Sequence, residues 1–330
     1  MNGQHSEGSV TDRRVAVSTL GEAMLRLSPP SGERLRECGE LRVHVAGAEA
    51  NVAVALASVG VATRWTSALP DTPLGRRVAD SLSSAGVALD TVRWMPDERL
   101  GLYFAEIGSA PRPTSVVYDR TGTAFWSLSA DDLDWDAVCD AEIIHLTGIT
   151  AAVAPGSDAL VLRAAREGRA RGATVAYDVN YRSRLSSAET AASFAVELAP
   201  YIDLLICRAE DARDLFGLAG DPPTLANDLA KKFGIGRVVV TSGADGAVAW
   251  WEGDSVSAPA LPTVGVDRIG AGDAFAAGVL WGLLDGSPGD ALSRGTAMAS
   301  LAMSVHGDQC RFTAEEVLEV ARGAGREVRR

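Results

Sequence analysis

Short runs of β-branched and other apolar residues alternate along this chain with longer runs whose apolar positions recur at helical spacing. Val15–Gly21 reads as a first strand and Ala48–Val59 as a helix closed by Gly60. Arg64–Leu69 reads as a strand, and Leu74–Ala85 as a helix that stops at Gly86. Two strand-like runs, Leu100–Ile107 and Thr114–Asp119, are joined by a loop holding Pro111 and Pro113. From Ile143 the alternation becomes strict. Strands at Ile143–Leu146, Thr174–Val179, Leu204–Cys207 and Arg237–Thr241 are separated by helices at Ser157–Arg171, Ala188–Leu198, Ala209–Phe216 and Leu225–Phe233. A hairpin around Gly253 pairs Ala247–Trp251 with Ser255–Ala258, and helices at Ala271–Leu284, Gly289–Val305 and Ala314–Ala324 finish the chain. This alternation predicts an α/β fold: a mostly parallel sheet covered by helices on both faces. The run Leu100–Asp119 does not fit it and reads as a small antiparallel flap. Ligands of open α/β sheets bind beyond the C-terminal strand ends, so motifs at those points carry the functional reading.

Composition narrows the field. The 330 residues are 47% hydrophobic and 22% charged, enough to bury a large core in one large domain or two smaller ones. A formal net charge of −12, with no dense basic stripe, argues against nucleic acid and anionic membrane as partners. Cys38, Cys139, Cys207 and Cys310 lie far apart with no CxxC spacing. They suit a reducing, cytoplasmic setting as buried apolar fillers and argue against a structural zinc site. Residues 1–14 are polar and are expected to be disordered. Arg13–Arg14 raise the idea of a twin-arginine export signal, but Glu22 and Arg26 interrupt the apolar stretch that follows. The longest purely apolar run, AFAAGVLWGLL, is too short to span a bilayer.

The chemistry concentrates in a few motifs. In Gly270–Asp273 (GAGD) small residues open a helix, and backbone N–H groups of Ala271, Gly272 and Asp273 can cradle an anion, aided by the helix dipole. Asp273 beside that cradle can accept the proton of an attacking hydroxyl, which together suggests phosphoryl transfer. A tight turn with an aspartate merely favoured in the first helical turn reads the same. No GxxxxGK[ST] is present, so this is not a Walker-type loop. In His44–Gly60, Gly47 precedes Glu49 and Asn51, which can hydrogen-bond sugar hydroxyls or simply cap and pack a helix. DVNYR, Asp178–Arg182, brings Asp178 and Asn180 to a strand end, and Arg182 suits a carboxylate or phosphate. On the flap, Tyr103, Tyr118 and Arg120 can close over a substrate, or the hairpin can pack on the body or a second subunit. In TSGADG (Thr241–Gly246) the glycines allow close approach of a nucleotide, as they would any hairpin turn. Asp308 in HGDQ is a further cleft candidate, and His306 has no partner at metal-ligand spacing.

Taken together, GE-MLRLSPP at Gly21–Pro30, VAGAEANVAVALASVG, ALPDTPLG at Ala68–Gly75, GLYFAEIGSAPRPTSVVYDR, HLTGIT, DVNYR and DRIGAGDAFAAG resemble the ribokinase-like, or PfkB-type, carbohydrate kinases. The resemblance runs from Val15 to the last helix and is strongest to the 2-keto-3-deoxygluconate kinases. It implies a three-layer α/β/α fold as a single domain over 15–330, with a small β-lid around 92–120 that often serves homodimers or higher homo-oligomers. It also implies ATP and Mg²⁺, with a monovalent cation as a further candidate, and transfer of the γ-phosphate to a primary hydroxyl. By position, the resemblance makes Asp273 the catalytic base and Gly270, Ala271 and Gly272 the anion hole. Gly47, Ala48, Glu49, Ala50 and Asn51 become the sugar-binding segment, Tyr103, Tyr118 and Arg120 the lid contacts, and Asp308 a late substrate contact. Arg182 falls between substrate carboxylate and phosphates, and Asn180, Thr241, Gly243 and Gly246 fall on the nucleotide side.

Four positions depart from the family pattern. Where Asn-x-x-Glu is common after Leu204–Cys207, this chain has Arg208-Ala209-Glu210-Asp211. Asp211 then takes the metal-side position with a shorter reach, and Arg208 becomes a candidate for a nucleotide phosphate. Asp245 stands where lysine is frequent, and Arg268 where a small residue or proline is. The expected activity is ATP-dependent phosphorylation of a sugar acid, most closely 2-keto-3-deoxygluconate to its 6-phosphate. The alternatives are a kinase for a neutral sugar such as fructose or for a nucleoside, and a sugar-acid-binding protein with weakened kinase activity.

Overall fold

The computed structural model describes residues 14–108 and 111–323, so the tail expected over 1–14 lies, except for Arg14, outside the described residues. The chain begins with β1 (Val15–Leu20), β2 (Met24–Ser28), β3 (Arg42–Ala46) and α1 (Ala48–Ser58). Then come β4 (Thr63–Thr66), β5 (Ala68–Pro70), α2 (Pro73–Ser84), β6 (Arg93–Met95), β7 (Gly101–Glu106) and β8 (Ser115–Asp119). The middle holds α3 (Trp135–Val138), β9 (Ala141–Thr147), α4 (Gly148–Ala152), α5 (Ser157–Ala170), β10 (Thr174–Asp178) and α6 (Ala188–Leu198). Next are β11 (Leu204–Arg208), α7 (Ala209–Phe216), α8 (Pro222–Phe233), β12 (Arg237–Thr241), β13 (Ala247–Trp251) and β14 (Asp254–Ala258). Helices α9 (Ala271–Leu284), α10 (Pro288–Met303) and α11 (Ala314–Ala321) close the described chain.

Eight strands form one sheet in the order β14-β13-β12-β11-β10-β9-β1-β4. The six from β12 to β4 run parallel, and β13 and β14 add an antiparallel hairpin at one edge. Parallel strands buried on both faces need continuous apolar runs, and Leu204–Cys207 and Val238–Val240 are such runs, with every residue buried. One face packs on α5 to α8 through Leu160, Val161, Leu198, Ala212, Leu225 and Leu229. The other packs on α1 and α9 to α11 through Val52, Leu56, Phe275, Leu280, Met298 and Val317. The result is the expected three-layer α/β/α fold.

Beside it lies a four-stranded sheet in the order β3-β2-β7-β8. The flap read at Leu100–Asp119 supplies β7 and β8, paired antiparallel with Tyr103 opposite Tyr118. Its other half, β2 and β3, comes from residues 24–46, outside the 92–120 range and not anticipated. Arg26 hid it: a charge amid MLRLS reads as a solvent-facing break, yet this side chain is 1% exposed. The strand read as Arg64–Leu69 is two. β4 stays in the main sheet while β5 pairs with β6, and between them the Ser67 carbonyl accepts from the Arg93 N–H at 2.8 Å.

Candidate active site

The C-terminal ends of β9 to β12, the start of α1, the turn before α9 and the four-stranded sheet enclose a cleft of about 750 Å³. A second cavity of about 680 Å³ adjoins it, and the two share Arg208, Thr241, Arg268, Gly272 and Phe275. Of the residues singled out in the sequence, Gly47, Ala48, Asn51, Tyr103, Tyr118, Arg120, Asn180, Arg182, Gly270, Asp273 and Asp308 line the first. Gly243, Gly246 and Ala271 line the second. Asp245 is exposed and borders neither.

Helix α9 starts where Gly270 takes a left-handed conformation, φ 87°, and a Cβ there would stand 2.2 Å from the Asp308 carbonyl oxygen, so glycine alone suits the turn. The N–H groups of Gly272 and Asp273 fall in the first helical turn, where no preceding carbonyl receives them; Gly272 lines both cavities and Asp273 the first. Asp273 Oδ2 accepts from Asn51 Nδ2 at 2.7 Å. Burial pushes its carboxyl up to about 7, with Asp178 and Asp308 adding to the rise while Asn51 and Arg182 oppose it. A carboxylate poised near neutrality beside unpaired amides is equipped to take a proton while an anion sits at the helix end.

The side of the cleft that carries Arg120 and Arg182 is more interlocked than the motifs suggested. Arg120 donates through Nε and Nη2 to Glu22 Oε2, at 2.9 and 2.5 Å, and Glu22 Oε1 accepts from Thr123 Oγ1 at 2.6 Å. The Arg120 guanidinium also lies 5.6 Å from the Tyr118 ring centre, and the Tyr103 and Tyr118 rings are 5.7 Å apart. Arg182 is exposed in the cleft, and the one hydrogen bond its side chain makes among the described residues goes to the Tyr181 carbonyl. It is therefore open to an incoming anion, as is Arg268, which is exposed and lines both cavities. Asp308 accepts from the Tyr103 hydroxyl on Oδ2 and from Arg26 on Oδ1 at 2.9 Å. Burial keeps the Tyr103 phenol protonated far above its ordinary range.

Three candidates sit elsewhere. Glu49 points away from the cleft: its Oε1 accepts from Thr147 and Thr150 hydroxyls at 2.7 and 2.6 Å, tying α1 to the β9–α4 junction. Ala50 is core, packed with Val54, Trp65 and Leu69. Successive helical residues point about 100° apart, so only part of Gly47–Asn51 can face one cavity. Asp211 lines neither cavity, and Arg208 grips both its oxygens, Nε to Oδ2 at 2.9 Å and Nη2 to Oδ1 at 2.5 Å. Among the described residues no cluster of three or more His, Cys, Asp or Glu is placed to hold a metal. The cleft does present Asp178, whose Oδ1 accepts only the Asn180 N–H, at 3.0 Å, and whose carboxyl burial pushes up to about 7. Mg²⁺ is commonly held by one or two carboxylates together with substrate phosphates and water, so this donor set fits a phosphate-borne Mg²⁺ and not an all-protein site. Glu22, Arg26 and Asp267 are the participants that motif reading missed.

The family model for pfkB family carbohydrate kinases matches residues 16–313. This chain belongs to that family. Among curated proteins it is 43% identical over 306 residues to 2-dehydro-3-deoxygalactonokinase of Haloferax volcanii, covering 92% of this chain and 96% of that one. It is 29% identical over 311 residues to 2-dehydro-3-deoxygluconokinase of Thermoproteus tenax, covering 93% and 94%. Among solved structures, 2-dehydro-3-deoxygluconokinase of Thermotoga maritima superposes with a TM-score of 0.88 at 31% identity, over 93% of this chain and 98% of that one. The protein is thus a carbohydrate kinase of the PfkB family with a ribokinase-like fold. No helix among the described residues is long and apolar enough to cross a membrane.

Proposed function

We propose that this kinase transfers the γ-phosphate of ATP to the primary hydroxyl of a 2-keto-3-deoxy sugar acid, 2-keto-3-deoxygluconate or its galactonate epimer, in the cytoplasm. One observation carries the reading. A single cleft holds a buried aspartate at a helix N-terminus, Asp273, together with two arginines, Arg120 and Arg182. The similarity to kinases named for both epimers supports the acceptor class.

In this mechanism Arg182 and Arg120 hold the acceptor's carboxylate, and Tyr103, Tyr118 and Asp308 orient its hydroxyls. Asp273 takes the proton of the primary hydroxyl as its oxygen bonds to the γ-phosphorus and the bond from phosphorus to the ADP oxygen breaks. The amides of Gly272 and Asp273 stabilise the charge on the phosphoryl group in passage, whereas the Ala271 N–H is taken by the Arg268 carbonyl. The glycines of Thr241–Gly246 leave room for the nucleotide in the second cavity, with Arg208 and Arg268 at its mouth. Mg²⁺, when bound with ATP, neutralises phosphate charge, and Asp178 is the carboxylate best placed to meet it.

The ion pair between Arg120 and Glu22 is the observation that favours a neutral acceptor, because it offsets the charge an acid would use. Measuring ADP release against keto-deoxy acids, hexoses and nucleosides separates the two. Turnover on the acids is expected, and efficient turnover on hexoses or nucleosides with none on the acids would overturn the proposal. A homodimer through the four-stranded sheet belongs to the same proposal. It is supported by the outer strand β8, which exposes Val117 and Tyr118.

A further inference from the structure

Two charged side chains in the network beneath the acceptor cleft, Arg26 and Asp267, line neither cavity. Arg26, on β2, is 1% exposed, and its three nitrogens all donate inward. Nε reaches Ser28 Oγ at 2.8 Å, Nη1 reaches Asp308 Oδ1 at 2.9 Å, and Nη2 reaches Asp267 Oδ2 at 2.6 Å. Each carboxylate has a second duty. Asp308 receives the Tyr103 hydroxyl. Asp267 receives the Ile269 N–H on Oδ1 at 3.1 Å and the Gly307 N–H on Oδ2 at 3.3 Å, so it braces both the turn leading into α9 and the loop carrying Asp308. A buried guanidinium is costly unless well paired, and apolar packing could hold the two sheets together without that cost. What apolar packing cannot do is fix the rotation of two carboxylates at once. Arginine's planar fork does so.

We propose that Arg26 is a positioning residue that holds the Asp308–Tyr103 pair under the acceptor and, through Asp267, the Ile269–Gly270 turn that presents the phosphoryl cradle, keeping the two sites at one spacing. The proposal rests on the acceptor assignment above. It assigns the Asp308 contact to acceptor binding and the Asp267 contact to the transfer step.

The test uses the full chain with ATP–Mg²⁺ and 2-keto-3-deoxygluconate, comparing the wild type with Arg26→Lys and Asp267→Asn by steady-state kinetics and thermal melting. Lysine offers a point charge without the fork, so Arg26→Lys is expected to raise the acceptor KM by about ten- to a hundredfold, the worth of a buried charged hydrogen bond. Asp267→Asn leaves the Arg26–Asp308 contact in place and is expected to lower kcat by about tenfold with acceptor KM little changed. A lowered melting temperature in both variants with kcat and acceptor KM unmoved would show mere scaffolding and overturn the proposal. So would a rise in acceptor KM in Asp267→Asn as large as that in Arg26→Lys. A wild type inactive on the whole acid panel would overturn the functional reading, and this proposal with it; an active wild type with unmoved variants overturns this proposal alone.

Discussion

Replacing Asp273 by asparagine should trade activity for stability. Its carboxyl, at about 7 in the folded protein against an ordinary 3.8, holds its proton more tightly folded than unfolded. From about pH 4 to 7 the unfolded chain therefore gives the proton up first, and stability falls as pH rises through that window. Three decades of proton affinity at about 1.4 kcal/mol each set a ceiling of about 4 kcal/mol, and because the carboxyl borders the open cleft we expect about 2 kcal/mol in practice. Asparagine cannot ionise and can still accept from Asn51, so Asp273→Asn should melt several degrees above the wild type at pH values above neutrality, and little differently in acid. Its turnover should fall by at least about a hundredfold, as general-base loss does. In the wild type kcat/KM should climb as pH rises through about 7, with the neighbouring Asp178 sharing in that titration. ADP-coupled rates across neutral pH and melting curves at matched pH give both readouts. Near-normal turnover in the variant would remove the proposed base, and a melting temperature no higher than the wild type above neutrality would refute the burial argument.

Three further outcomes follow from the site. Arg120→Ala should raise the acceptor KM by about tenfold or more for an acid and leave a hexose unaffected; it also strands Glu22 in a buried position, so the melting temperature should drop. Gly270→Ala forces a side chain into a left-handed turn 2.2 Å from a carbonyl oxygen, and kcat should fall while ATP-free folding survives at a cost of about 1–3 kcal/mol, read by denaturant titration. Glu49→Gln can keep its threonine hydroxyls while shedding a carboxyl that burial pushes upward, so kcat and acceptor KM should hold within about threefold. A tenfold rise in acceptor KM in that variant would return Glu49 to the substrate.

Elements whose character is local were readable from residue order. The central strands β11 and β12 carry unbroken buried apolar runs, and α7 and α8 end at the left-handed glycines Gly217 and Gly234. The GAGD turn needed no distant partner to be recognised, because a helix start and its aspartate are consecutive. What escaped was whatever depends on a remote counter-charge. Glu22 is balanced by Arg120 at 98 residues' separation, and Arg26 by Asp267 and Asp308 at 241 and 282. Read in order, these charges look like interruptions of a strand; folded, they hold the second sheet against the first. Glu49 and Asp211 were misplaced for a related reason. A short motif tells which residues are neighbours but not which way each points, and Thr147, Thr150 and Arg208 claim their oxygens.

Helix α9 is sheltered all round: Ala274 to Leu280 are buried without a break between α1, α10 and the sheet. The carboxyl proposed as the base is thus mounted on one of the least solvent-accessible rods in the molecule. Amide protons along that rod should exchange only through global opening, and heat inactivation should track wholesale melting with no earlier softening of the reaction centre.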